Sequence, residues 1–115
     1  MVNSLIEILG REAALFESFL QLLEQQQTAL VENNASELNR ITEMQREKLI
    51  ESKLLNKQRE DILEDIKKQN AIDGDLTVTR LLEMVDNNQA NQLYILRDSI
   101  LMLNDKILKT RNRNA

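Results

Sequence analysis

The sequence predicts an all-α protein: an elongated antiparallel helical hairpin with a third helical arm, together a three-helix, coiled-coil-like bundle. Three observations carry that expectation. The 115 residues include no proline and only two glycines, so long uninterrupted helices are permitted almost everywhere. Apolar residues recur at intervals of three and four along most of the chain. Two polar, turn-forming stretches, ENNASE and QNAIDGDLT, divide the chain into three segments. A single domain, residues 1–115, is expected at this length. With 42% apolar and 30% charged residues the chain has the balance of a folded protein, but aromatics at 3% rule against a core built from rings.

The first helix is predicted over about residues 2–32. Val2, Leu5, Leu9, Phe16, Phe19, Leu23 and Leu30 form one stripe, and Leu15, Leu20 and Leu22 widen it. A stripe wider than a two-helix seam implies contact with more than one helix. Gly10 costs about 1 kcal/mol relative to alanine in a helix interior. It serves either a close helix approach or no purpose beyond being tolerated.

Asn34 followed by Glu37 is a capping-box-like start, so a tight turn precedes a second helix over about residues 35–69. So short a connection makes the two helices antiparallel neighbours. The inner seam of the second helix reads Leu38, Ile41, Gln45, Lys48, Ser52, Leu55, Arg59, Ile62 and Ile66. Its ends are apolar and its middle is polar; Leu49, Ile50, Leu54 and Leu63 flank it. A turn centred on Asn34 sets Phe16 opposite Ser52, a large residue against a small one. It also brings Glu12 near Leu55 and Arg59, where the carboxylate either forms a partly buried ion pair with Arg59 or snorkels outward as an edge charge.

Asp73-Gly74 is a turn dipeptide, and Thr77 is placed to cap a third helix running to about residue 111. Within it, DNNQAN at 86–91 is rich in weak helix formers; a break there and a continuous helix are both compatible with the sequence. The arm ends in LYILRDSILMLNDKIL, where ten of sixteen residues are apolar. Leu93, Leu96, Ile100, Leu103 and Ile107 make a seam, Tyr94, Leu101 and Leu108 a second row, and Ile95 and Met102 lie near the far side. Either this arm closes a three-helix bundle, or part of its face awaits a helix from elsewhere. In the second case the partner contact is expected on Leu93, Leu96, Ile100, Leu101, Leu103, Ile107 and Leu108.

Composition excludes much chemistry. Without cysteine or histidine there are no disulfides, no thiolate or imidazole metal sites, and no Ser-His-Asp or Cys-His catalysis. Two glycines cannot form a phosphate-binding loop. Carboxylate pairs such as Glu43–Glu47 and Glu60–Glu64 read as solvated helix faces. No enzyme activity, metal or cofactor is therefore expected. A net charge of -4 argues against a nucleic-acid platform. Lys106, Lys109, Arg111 and Arg113 cluster where the helix dipole favours cations. The N-terminus lacks a cationic start, and no apolar run exceeds four residues, so a cytoplasmic protein without membrane insertion is expected.

The run LLEQQQTALVENNASELNRITEMQREKLIESKLLNKQREDIL resembles the FlgN family of flagellar export chaperones. The matching features are the leucine-rich end of the first helix, a short polar turn, Leu38 and Ile41, Lys48, the pairs Leu49-Ile50 and Leu54-Leu55, and Arg59 before Ile62-Leu63. LTVTRLLEMVD resembles the family's third segment, and LRDSILMLNDKIL, with Asn104, its last helix. The resemblance implies a cytoplasmic binding protein that covers an aggregation-prone terminal helix of hook-associated (hook–filament junction) proteins and delivers them to the export gate. Members continue the last helix past the position of Asn114 into a part associated with substrate binding. This chain ends at Ala115, so an incomplete client-binding surface and a short member are both expectations. Two other readings remain: a structural coiled-coil module that forms a homo-oligomer through the last helix, and a regulatory helical adaptor.

Overall fold

The computed structural model describes residues Met1–Ala115. Four helices follow in order: α1 (Val2–Val31), α2 (Ala35–Gln69), α3 (Val78–Glu83) and α4 (Asn87–Asn114). They form an all-α bundle measuring 55 × 22 × 22 Å. α2 runs back along α1. α4 runs parallel to α1, as contacts at its two ends show: Gln89 Nε2 donates to Asn3 Oδ1 at 3.0 Å, and Asn114 Nδ2 donates to the Leu23 carbonyl at 2.8 Å.

The helix ends follow from local sequence. At the close of α1, the Asn34 N–H reaches the Ala29 carbonyl (2.9 Å) and the Asn33 N–H reaches that of Leu30 (3.2 Å), with Asn33 at φ 52°. This is a Schellman ending, and asparagine tolerates the left-handed conformation it needs. Asn34 Oδ1 then accepts the Glu37 N–H at 3.1 Å and starts α2. Only half of the expected capping box forms, because the Glu37 carboxylate is held by Arg40, whose Nε lies 3.1 and 3.0 Å from its two oxygens. α2 ends the same way as α1, with the Ile72 N–H on the Lys67 carbonyl at 3.0 Å, but the left-handed position is Ala71, at φ 51°.

The third arm is two helices, not one. The break falls at Met84–Asp86, slightly before the suspected 86–91 segment. That segment starts α4: Asp86 Oδ1 accepts the Gln89 N–H (2.8 Å) and Gln89 Oε1 accepts the Asp86 N–H (3.2 Å). Residues that are weak inside a helix are strong at its beginning, since their side chains satisfy the free N–H groups. Thr77 caps α3 as expected, accepting the Arg80 N–H at 3.1 Å.

Only 14 of 115 residues are buried, so the interior is three short clusters rather than a continuous core. Leu5, Ile66, Leu81 and Leu93 close the end where α3 crosses. Ile8, Leu15 and Leu55 form the middle, and Leu22, Ala29 and Ile41 the turn end. Near the turn it is Ala29, not the neighbouring Leu30, that is buried. Ala29 packs there with Leu22 and Ile41, while Leu30 faces solvent. Gly10 serves no close helix approach, as a Cβ there would meet nothing within 4 Å.

Ala71 holds a conformation that costs an L-residue roughly 1 kcal/mol. Ala71→Gly is therefore expected to stabilise the fold by about that amount, read as a rise of a few degrees in Tm by circular dichroism.

Candidate functional site

α1 carries apolar side chains around much of its circumference, and both long partners use them. α2 and α4 each pack along α1, and no comparable packing joins α2 to α4. A groove therefore runs between α2 and α4, with α1 as its floor. Its main part has a volume of about 470 Å³ and is floored by Phe16, Phe19 and Leu23. Lys48, Leu49 and Ser52 form the α2 wall, and Asn104, Ile107 and Arg111 the α4 wall. A second hollow continues it past Phe16, Ser52 and Asn104 to Ile100, Glu12 and Arg59. From Ile100 to Asn114 the groove is about 21 Å long.

The chain's only two phenylalanines both lie in this floor. Phe16 and Ser52 do meet across the two helices, as their positions in the hairpin predict. The small serine leaves the ring half-buried, with one side toward the groove. Gln45, Lys48 and Arg59 on the same seam of α2 keep it polar and half-buried, so no apolar side chain from α2 seals the groove.

The seven α4 residues expected to meet a partner are divided by the structure. Leu93 (7% exposed) and Leu103 (5%) turn inward. Leu93 belongs to the cluster under α3. Leu96, Ile100 and Ile107 are half-buried, the last two in the groove wall. Leu101 (60% exposed) and Leu108 (58%) are open to solvent. At about 100° per residue they stand one step round from Asn104 and Arg111, which makes them the α4 rim on the α2 side. Leu49, 53% exposed, is their counterpart on α2. Phe16, Phe19 and Leu49 were read from the sequence as packing residues and not among the expected partner contacts. The signal was present: two aromatic rings lie opposite the polar centre of the α2 seam.

At one end of the groove a polar clasp ties α4 down. Asn114 Nδ2 also donates to Gln26 Oε1 (3.0 Å), which accepts as well from Gln45 Nε2 at 3.5 Å. At the other end, Arg59 Nη1 binds both oxygens of Glu12, at 3.1 and 2.8 Å, and Arg59 Nη2 donates to Asn56. Of the two outcomes open for Glu12, the ion pair is the one that forms. Glu12 is only 2% exposed. Burial raises its pKa above the usual carboxylate value, and the opposing attraction and hydrogen bond from Arg59 do not cancel that effect.

No group of three or more acidic side chains converges as a metal site requires, and no helix is long and apolar enough to cross a membrane. The sequence model of one protein family, described as FlgN protein, matches residues 1–114. The chain belongs to the FlgN family. No curated protein and no solved structure matches it. FlgN is a chaperone family, not an enzyme family, and membership supports a general role in flagellar export. In this FlgN chain the groove is the feature suited to such work.

The Glu12–Arg59 pair has a pH signature. Because the folded pKa of Glu12 lies above its unfolded value, the folded protein holds that proton more tightly. The resulting stability is present below the ordinary carboxylate range and is lost as pH rises through the folded pKa. Glu12→Gln removes the group, so its stability relative to the parent protein should be more favourable at pH 7 than at pH 4. Arg59→Leu leaves a buried carboxylate unpaired and should cost about 3 kcal/mol at neutral pH, and less at pH 4. Urea unfolding at the two pH values measures both differences.

Proposed function

We propose that this FlgN-family chain is a cytoplasmic chaperone of type III flagellar export. Its clients are hook-associated, hook–filament junction proteins. It binds an amphipathic terminal helix of the client, prevents that helix from aggregating, and delivers the client to the export gate. One observation carries this reading beyond family membership. The α2–α4 groove has an apolar floor, two apolar rims and no occupant from its own chain.

The mechanism follows from burial. A client helix laid along the groove covers Phe16 and Phe19 from above. The edges of its apolar stripe meet Leu49 on one rim and Leu101 and Leu108 on the other. Removing apolar surface from water stabilises the complex by roughly 25 cal/mol per Å² before association costs are subtracted. Ile100 and Ile107 line the wall it slides against. Leu96 packs beside them. Leu93 and Leu103 act one layer down, holding α4 to α1 so that the groove keeps its width.

A second reading is favoured by a different observation. Ile95 and Met102 are also exposed, on the side of α4 away from α2. A structural module that self-associates through the last helix would use them. The two readings separate in one experiment: co-expression with terminal helices of hook-associated proteins, followed by pull-down and light scattering. The chaperone reading expects a 1:1 heterocomplex. Leu101→Asp with Leu108→Asp should weaken it at least about tenfold while circular dichroism shows the helices unchanged. A concentration-dependent homo-oligomer with no heterocomplex, disrupted by Ile95→Asp, would overturn it.

A further inference from the structure

The chain is acidic overall, at -4, but its groove is not. Five charged side chains line the two connected hollows: Lys48, Arg111, Glu12, Lys53 and Arg59. Glu12 and Arg59 neutralise each other. Lys53 and Arg111 have no carboxylate within 4 Å, and Lys48 has only Glu51, at 4.0 Å. Three cationic side chains thus remain along the groove, with no acidic side chain in its lining other than the Glu12 already paired with Arg59. Lys48 and Lys53 stand on the α2 wall and Arg111 on the α4 wall, so both edges of the floor are basic.

We infer that the groove selects a helical segment whose apolar stripe is flanked on both sides by acidic residues. This rests on the chaperone reading above and adds the chemistry of the client helix to it. The apolar stripe sits on Phe16, Phe19 and Leu23, and carboxylates on its flanks reach Lys48 and Lys53 on one side and Arg111 on the other. The groove accepts about four turns of helix at its length. The rest of the protein's charge would favour a cationic partner, so a preference for an acidic helix has the opposite sign to any non-specific attraction.

Two synthetic helices about five turns long test this. Both carry the same leucine stripe; one has glutamates along both flanks, the other lysines. Their binding to the full chain is followed by fluorescence anisotropy at low and high salt. The glutamate helix is expected to bind about tenfold or more tightly than the lysine helix at low salt, with the gap closing as salt screens it. Lys53→Glu with Arg111→Glu, both at exposed positions, should reverse the preference while circular dichroism confirms the fold. Equal binding of the two helices, or a preference for lysine, overturns the charge inference and leaves the chaperone reading standing. Failure of both helices to bind overturns the groove reading itself. A dimer of the chain alone that Leu49→Asp dissociates would give the groove to a second copy and also overturn the inference.

Discussion

One helix provides the packing surface for both of the others. α1 buries Leu5, Ile8, Leu15, Leu22, Leu23 and Ala29, whereas α2 buries Ile41, Leu55 and Ile66, and α4 buries Leu93 and Leu103 among its apolar residues. The arrangement is therefore a spine with two arms, not a ring of three equal contacts. An apolar stripe too wide for one neighbour is what makes it so. A closed bundle would need α2 and α4 to offer each other apolar faces as well.

They do not, and the reason lies in the middle of α2. Gln45, Lys48, Ser52 and Arg59 occupy inward positions where a stable core would place leucine or isoleucine. Each forgoes apolar burial that a leucine there would supply, and Arg59 additionally holds a carboxylate whose desolvation it does not fully offset. The chain gives up stability in its central third and keeps an unsealed groove there. Rules of core construction fail locally there, as they do where a fold is shaped by something other than its own stability.

Most of the architecture was legible in the residues. Proline-free stretches with three-four spacing gave the helices, and Asn34, Thr77 and Asp73-Gly74 located the turns. The seam of α2 was readable position by position, because a heptad-like row between two antiparallel helices leaves little freedom. Less legible was anything that depends on how far apart two helices stand. Phe16 opposite Ser52 reads equally well as tight packing and as an opening. Leu103 and Leu101 are two residues apart and equally apolar, yet one is buried and the other exposed; only the side on which α4 meets α1 distinguishes them. Whether the last arm breaks was left open by the sequence, because asparagine and aspartate signal both a helix's weakness and its start; the break lies between Glu83 and Asn87.

The interior is divided into three clusters strung along 55 Å, and α4 is held to the hairpin through one face alone. A protein assembled this way does not lose its structure everywhere at once. The hairpin of α1 and α2 is tied by its own turn and by the Glu12–Arg59 bond, and α4 by Gln89 to Asn3 at one end and Asn114 to Leu23 and Gln26 at the other. Local opening is therefore a property of each cluster separately, and amide protons at one end of the bundle need not exchange with those at the other. The hollow between the two arms exists only while both stay docked on α1, so its shape is set by that one helix.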